Sequence, residues 1–174
     1  MCYECQTMTR DQLKRALSSA VRYPHGDMHK GGLELAPEVY TSDGRETNLV
    51  ISPFSHLDCT GVIHVGPWCN IGPRSKIYTH DHIHRGRRPL SEVTETYGVL
   101  WQDKRIGADV WIHDGAMVLY QVTEIPDGVV IGGGAVLTRN PGPFEIWAGN
   151  PARCIGLREE VEEAAYRELV CRNT

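Results

Sequence analysis

The stretch VGPWCNIGPRSKI, residues Val65–Ile77, carries an aliphatic side chain at every sixth position: Val65, Ile71 and Ile77. After a 29-residue step the spacing returns at Ile106, Ile112 and Val118. One extra residue at Glu124 shifts the phase, and Ile125, Ile131 and Leu137 resume it. Glycine follows the aliphatic at Gly66, Gly72, Gly107 and Gly132. A period of six is neither the 3.6 of an amphipathic helix nor the 2 of an ordinary strand. It is the pattern of a chain wound into a β-helix, where each six-residue side of a coil turns one aliphatic inward. Ile51 and Leu57 extend the count backwards, with a two-residue insertion near Thr60 and Gly61 before Val65. At three sides per coil, Ile71, Ile112 and Ile131 should stack on one face. Val65, Ile106 and Ile125 should stack on a second, and Ile77, Val118 and Leu137 on the third. The spacing thus predicts a triangular prism of nearly four coils over residues 50–149, with glycines at corners that require positive φ.

The flanks complete an all-β chain with terminal helices, read as a single domain over residues 1–174. Leu13, Leu17 and Val21 recur four apart, which predicts a short N-terminal helix over 9–22. Residues 158–172 form a charged segment with Val161, Ala164, Ala165, Leu169 and Val170 on one side, a helix suited to cap the open end of the prism. Residues 80–105 leave the count and return to it in phase, which predicts a protruding loop thrown from one corner. Repeat proteins place such insertions on one face, often the binding face.

Composition narrows the function classes. With 174 residues, 41% hydrophobic and 23% charged, the chain reads as one ordinary globular domain. The net charge of −4, without a basic stripe, argues against nucleic acid. No apolar run reaches the length of a membrane span and the N-terminus has no signal-peptide pattern, so the expected location is cytoplasmic. The six cysteines are irregularly spaced and read as reduced thiols. Cys2 and Cys5 lack the second pair that structural zinc needs.

Thr79-His80-Asp81-His82-Ile83-His84 is the densest chemical cluster and lies where the loop leaves the coil. An imidazole can take a proton from a hydroxyl or amine near neutral pH. Three histidines in five residues fit a general base, a metal patch or a solvated loop, and the residues by themselves leave these open.

The segment from Ile71 to His82 resembles the coil that ends in the catalytic histidine of hexapeptide-repeat acetyltransferases of the maltose and galactoside type. Ile106-Gly107-Ala108-Asp109-Val110-Trp111-Ile112 is similar to their I-G-x-x-V-W-I coil. Val130 to Arg139 is similar to V-I-G-A-G-S-V-V-T-K, and Ala148-Gly149-Asn150-Pro151-Ala152-Arg153 to their closing A-G-N-P-A-R/K. The resemblance covers roughly residues 50–156. It implies a left-handed parallel β-helix, a homotrimer and acetyl-CoA as co-substrate, with no metal. Matched residue by residue, it puts the catalytic histidine on His82, five after Ile77, with His80 as runner-up. It puts the donor on Asp114, Ala116, Gly133, Thr138, Arg139 and Arg153. Ser55, His56, Asp58, His84 and Trp111 fall where acceptor contacts would lie, Asp58 either holding a hydroxyl or orienting an imidazole. His113-Asp114 departs from the usual Gly-Ser or Gly-Gly and sets an anion beside the pantetheine path.

The resemblance implies an acetyl-CoA-dependent acetyltransferase acting on the hydroxyl or amine of a small acceptor, a sugar or nucleotide-sugar first. A xenobiotic acetyltransferase of the chloramphenicol/streptogramin type is the alternative acceptor class. A γ-type carbonic anhydrase needs a His-x4-His pair that is missing, since Val118 stands five after His113. A non-catalytic β-helix scaffold is the third class, because fold alone does not fix function.

Overall fold

The structure, a computed structural model, describes residues 32–35, 49–52 and 54–171. The 9–22 helix and the Cys2/Cys5 pair lie outside the described residues. In chain order the elements are β1 (Gly32–Leu35), β2 (Val50–Ile51), β3 (His56–Leu57), β4 (Val62–Val65), β5 (Asn70–Ile71), β6 (Lys76–Ile77) and β7 (His80–Asp81). Then come α1 (Leu90–Tyr97), β8 (Leu100–Trp101), β9 (Lys104–Ile106), β10 (Trp111–Ile112), β11 (Met117–Val118) and β12 (Glu124–Ile125). The chain continues with β13 (Val130–Ile131), β14 (Val136–Leu137), β15 (Glu145–Gly149), β16 (Ala152–Leu157) and α2 (Glu163–Cys171).

The sixfold period builds three parallel faces. Face 1 runs β2-β5-β10-β13-β15, with β16 antiparallel on its edge; face 2 runs β3-β6-β11-β14; face 3 runs β1-β4-β9-β12. Partners align the expected aliphatics: Ile51, Ile71, Ile112, Ile131 and then Trp147 on face 1. Leu57, Ile77, Val118 and Leu137 align on face 2, and Val65, Ile106 and Ile125 on face 3. Apart from the half-buried Ile51, these side chains form the buried core. The three faces wind in succession into a parallel β-helix.

The glycines that follow the aliphatics have a different role from the one their position suggests. None of Gly66, Gly72, Gly107 and Gly132 has a positive φ. They are small because the next coil passes against them: a Cβ on Gly66 would lie 2.6 Å from the Gly107 carbonyl carbon and oxygen. Positive φ falls two residues later. Phe54, Arg74, Gly115 and Gly134 take it along the edge between faces 1 and 2. Trp68, Asp109, Gly128 and Phe144 take it along the edge between faces 3 and 1. Each of these stacks on the one below, as in Asp109 N–H to Pro67 O at 2.8 Å and Gly128 N–H to Ala108 O at 2.9 Å.

The third edge, from face 2 to face 3, has no such corner residue among the described residues; positive φ occurs there only within the excursion, at Gly86 and Gly98. Every irregularity of the repeat gathers there: the insertion at Thr60–Gly61, the excursion over 80–105 and the extra residue before Ile125. The excursion is more ordered than a loop. β7 and β8 pair antiparallel at its neck, and α1 forms its head with only Val93 buried. At the far end Trp147 is buried and the β15–β16 hairpin extends face 1. The expected helix over 158–172 spans Glu163–Cys171, with Ala164 and Tyr166 exposed and Ala165 half-buried.

Gly66→Ala should destabilise the protein by about 1–3 kcal/mol or more, because rigid main chain blocks the methyl. Gly134→Ala, at φ 66° with nothing within 4 Å of its Cβ, should cost only the left-handed penalty of about 1–2 kcal/mol. Urea unfolding of both variants checks the order, and equal losses would contradict the close-approach account.

Candidate active site

The irregular edge lacks the turn that satisfies main-chain groups on the other two, so side chains do it instead. Asp58 is the centre. It follows the inward Leu57, is 7% exposed, and accepts from five directions. Its Oδ1 takes the Thr60 hydroxyl at 2.8 Å and the Thr60 N–H at 3.2 Å. Its Oδ2 takes the N–H groups of Thr79 at 2.9 Å and His80 at 3.0 Å, and the His80 ring Nδ1 at 2.5 Å. The Thr79 hydroxyl donates to Asp58 O at 2.6 Å and accepts from Gly61 N–H at 2.9 Å. Burial opposes ionisation of Asp58. The Thr60 hydroxyl, the Thr79 amide and the His80 ring outweigh it and hold the carboxyl below its ordinary value.

This fixes the chemistry of His80. An ionised carboxylate only accepts, so Nδ1 is the donor and Nε2 carries the lone pair. The His80 side chain is 11% exposed. His82 lies on the same side of the strand, its ring centroid 5.8 Å from that of His80 and nearly perpendicular to it. Its Nδ1 is 3.0 Å from the Thr94 hydroxyl of α1. A hydroxyl can donate or accept there, so His82 is held by the excursion without a fixed tautomer. His84 is exposed and pairs with Asp81 at 2.9 Å.

Lys104 holds the next coil at the same edge. It is 2% exposed and occupies an inward position, in register with Ile63. Its ammonium donates to Leu119 O at 2.9 Å, Tyr120 O at 3.1 Å and Val122 O. These carbonyls belong to the turn that carries the extra residue. Burial pushes its pKa down to about 8, against the pull of Asp58. Sequence reasoning missed it. The signal was a lysine two residues before Ile106, where the preceding coil has Ile63 two before Val65.

The other expected residues lie elsewhere. Trp111, exposed on face 1, packs at 5.9 Å from His113 and lines a groove of about 230 Å³ with Ser52, Asn70, Pro73 and Asp114. Gly133 stacks over Asp114, a Cβ there lying 3.5 Å from Asp114 O. The Asp114 carboxylate turns back over Gly72 of the preceding coil, away from Gly133. Ala116 is a core residue at 0% exposure, so no ligand reaches its side chain. Thr138 and Arg139 follow β14, with the Arg139 guanidinium 5.1 Å over the Trp147 ring. Arg153 is exposed on β16 and donates to Ala152 O. Ser55 gives its hydroxyl to Ser52 O and Gly72 O, and His56 lies 5.7 Å from the Tyr78 ring. In a three-sided prism the edge between faces 2 and 3 is opposite face 1. One chain therefore holds Asp58, His80 and His82 on one side and Trp111 on the other. Among the described residues no three His, Cys, Asp or Glu side chains form a metal-binding group. Burial pushes the thiols of Cys59 and Cys69 up to about 11, which removes them as nucleophiles. No helix among the described residues is long and apolar enough to cross a membrane.

No family model matches the chain. Chloramphenicol acetyltransferase of Agrobacterium fabrum is 40% identical over 63 residues, 36% of this chain and 30% of that protein. The chain thus matches under a third of the length of that relative. Among solved structures, a maltose O-acetyltransferase of Clostridium difficile 630 superposes with TM-score 0.51 at 24% identity, over 74% of this chain and 65% of that one. A hexapeptide-repeat acetyltransferase of Vibrio cholerae complexed with acetyl coenzyme A gives 0.50 at 15%, over 74% and 66%. The chain shares their fold.

Asp58→Asn should lower stability near neutral pH by about 3 kcal/mol, the cost of breaking a buried pair. A depressed carboxyl contributes stability that is full above its unfolded value of 3.8 and is lost as pH falls through its lower folded value. Urea unfolding from about pH 5 down to about pH 2 should therefore show a steeper loss in wild type than in Asp58→Asn. Parallel profiles would count against this role.

Proposed function

We propose that this protein moves an acetyl group from acetyl-CoA to a hydroxyl or amine of a small acceptor, with His80 as the general base and Asp58 as the residue that orients it. The observation that carries this reading is the 2.5 Å contact between His80 Nδ1 and the buried Asp58 carboxylate, at the root of the excursion. A base held by a third group in one tautomer is the arrangement acyl transfer needs. The resemblance favours His82 instead, by its place five residues after Ile77. His80 is preferred because its tautomer is set by a carboxylate and that of His82 is not.

In this mechanism His80 Nε2 takes the acceptor proton as the acceptor oxygen or nitrogen attacks the thioester carbonyl. Main-chain N–H groups of neighbouring coils stabilise the oxyanion. The tetrahedral intermediate collapses, coenzyme A leaves as the thiolate, and the imidazolium returns the proton to sulfur. Arg139 and Arg153 are exposed guanidiniums suited to the phosphates of the donor. The excursion supplies the acceptor side, with Arg85 and Arg87 exposed beside it.

The acceptor is a sugar or nucleotide-sugar in this reading. The partial similarity to chloramphenicol acetyltransferase supports keeping a xenobiotic acceptor in the same screen. Thiol release from acetyl-CoA against sugars, nucleotide-sugars, amino acids and chloramphenicol tests the activity. His80→Ala should lower turnover by about 100- to 10,000-fold, and His82→Ala by far less. The opposite order would return the base to His82.

A homotrimer is part of the proposal. The outward row of face 1 is Val50, Asn70, Trp111, Val130 and Ile146, largely apolar, whereas face 3 presents Glu34, His64, Arg105 and Glu124. Packing face 1 of one subunit near the irregular edge of the next closes a threefold ring. It also brings Trp111 of one chain to His80 of another. Val130→Glu should give monomers by light scattering and abolish turnover while the chain stays folded. A trimer that survives this change, or an active monomer, would overturn the shared site.

A further inference from the structure

We propose that the Thr60–Gly61 insertion is a positioning element for the reaction: Thr60 fixes the Asp58 carboxylate against the His80 ring, and Gly61 seats both feet of the excursion beside them. This rests on the reading of His80 as the base. The two residues are surplus to the sixfold count between Leu57 and Val65. Thr60 is buried, and its hydroxyl lies 2.8 Å from Asp58 Oδ1 and 3.2 Å from His80 Nδ1. An ionised carboxylate accepts, so the one hydroxyl proton goes to Oδ1 and the oxygen's lone pair faces the Nδ1–H. The Nδ1 proton thus meets two acceptors, Asp58 Oδ2 at 2.5 Å and Thr60 Oγ1 at 3.2 Å. Thr60 N–H is a second donor to Oδ1, at 3.2 Å, while the Thr79 and His80 amides hold Oδ2. With both oxygens engaged the carboxylate plane is set, and Oδ2 stays presented to the ring.

Gly61 does the second half of the work. Its N–H donates to the Thr79 hydroxyl at 2.9 Å, which fixes the departure foot of the excursion. A Cβ on Gly61 would lie 2.6 Å from Gln102 O and 3.2 Å from Asp103 Oδ1, both in the return foot. Gln102 N–H in turn donates to Thr79 O at 2.8 Å, so the two feet are joined to each other as well as to the insertion. A residue without a side chain lets the return foot come this close. Removing the Thr60 hydroxyl would leave Asp58 Oδ1 with the longer amide bond only. A buried carboxylate short of a donor is more basic and draws the Nδ1 proton harder. In transfer, a ring held from the Nδ1 side keeps Nε2 aimed at the acceptor while the proton arrives and leaves.

The test reads the His80 ring directly and needs no acceptor. The Nδ1–H proton, shared with a carboxylate at short range, should give a downfield proton resonance that His80→Gln removes. Its absence from wild type would sink the reading of His80 as a base held by Asp58, and this proposal with it. Where it is present, Thr60→Val, which keeps the shape and loses the hydroxyl, should move it further downfield. Thr60→Ser restores the hydroxyl and should return it to the wild-type position. One position in all three proteins would overturn the role of Thr60 and leave the base standing. Gly61→Ala leaves Asp58, Thr60 and His80 chemically intact but displaces the return foot, so the line should shift and broaden there too. An unchanged line in Gly61→Ala would overturn the seating, and this variant decides the matter if Thr60→Val does not fold. With the acceptor found by thiol release, kcat should fall about 10-fold in Thr60→Val and recover in Thr60→Ser, the KM for acetyl-CoA staying constant. An equal fall in both variants would overturn the proposal.

Discussion

The hydrogen-bonded ladder between successive coils is the constraint on which the rest of this structure depends. Each two-residue strand is too short to be stable alone, and gains its place only from the coils above and below. Close stacking keeps the residue after the inward aliphatic small at Gly66, Gly72, Gly107 and Gly132, and a side chain on Gly66 would strike the Gly107 main chain. It also demands that every edge close its main-chain hydrogen bonds at the same height. Two edges do so with a left-handed residue three positions after the aliphatic, even where that residue is Phe54, Arg74, Trp68 or Asp109. Asp109 is further held by Arg158 at 2.7 Å.

The third edge breaks this rule and gains chemistry from the break. Chain length varies there from coil to coil, so main-chain groups arrive out of register and need side-chain partners. Asp58, Thr79, Asp103, Lys104 and Asn140 supply them, Asn140 Oδ1 accepting Thr123 N–H at 2.9 Å. Of these Asp58, Thr79 and Lys104 are buried, and buried polar groups are costly unless fully paired. Once paired they are rigid, and a carboxylate fixed by main-chain donors can hold an imidazole in one tautomer. The structural repair of the edge and the orientation of the proposed base are thus the same hydrogen bonds.

The sequence made the core legible because one aliphatic per side is a strong periodic signal, and all eleven inward positions fall on the strands and faces it implies. Elements outside the period were not legible. β1 lies in a stretch rich in Gly, Pro and charge that reads as connection and irregular strand, and its place on face 3 was not legible because its partner β4 is 30 positions away. β16 returns antiparallel, and α1 buries only Val93, too little for a helical pattern. The glycines were placed correctly and explained wrongly, since close approach and positive φ both select glycine. At the site, the sequence singled out the histidine cluster and the resemblance added Asp58, but neither could choose a partner for each ring. The choice rests on the two-residue insertion at Thr60–Gly61, which lets Thr60 turn back onto Asp58 below His80.

The placement of polar groups also explains why one chain holds half of the proposed centre. A prism whose core is filled by aliphatics has no interior cavity for a substrate. Ligands can lie only along its edges and faces, and an isolated edge is convex, which gives poor burial. A concave site needs a wall brought from outside the coil. The excursion provides one wall, with α1 reaching His82 through Thr94. A neighbouring subunit provides the other in the proposed trimer, where the apolar row of face 1 and its exposed Trp111 would cover the irregular edge. The polar, rigid edge and the largely apolar face are complementary in the proposed trimer: the first would orient groups and the second would exclude water from them.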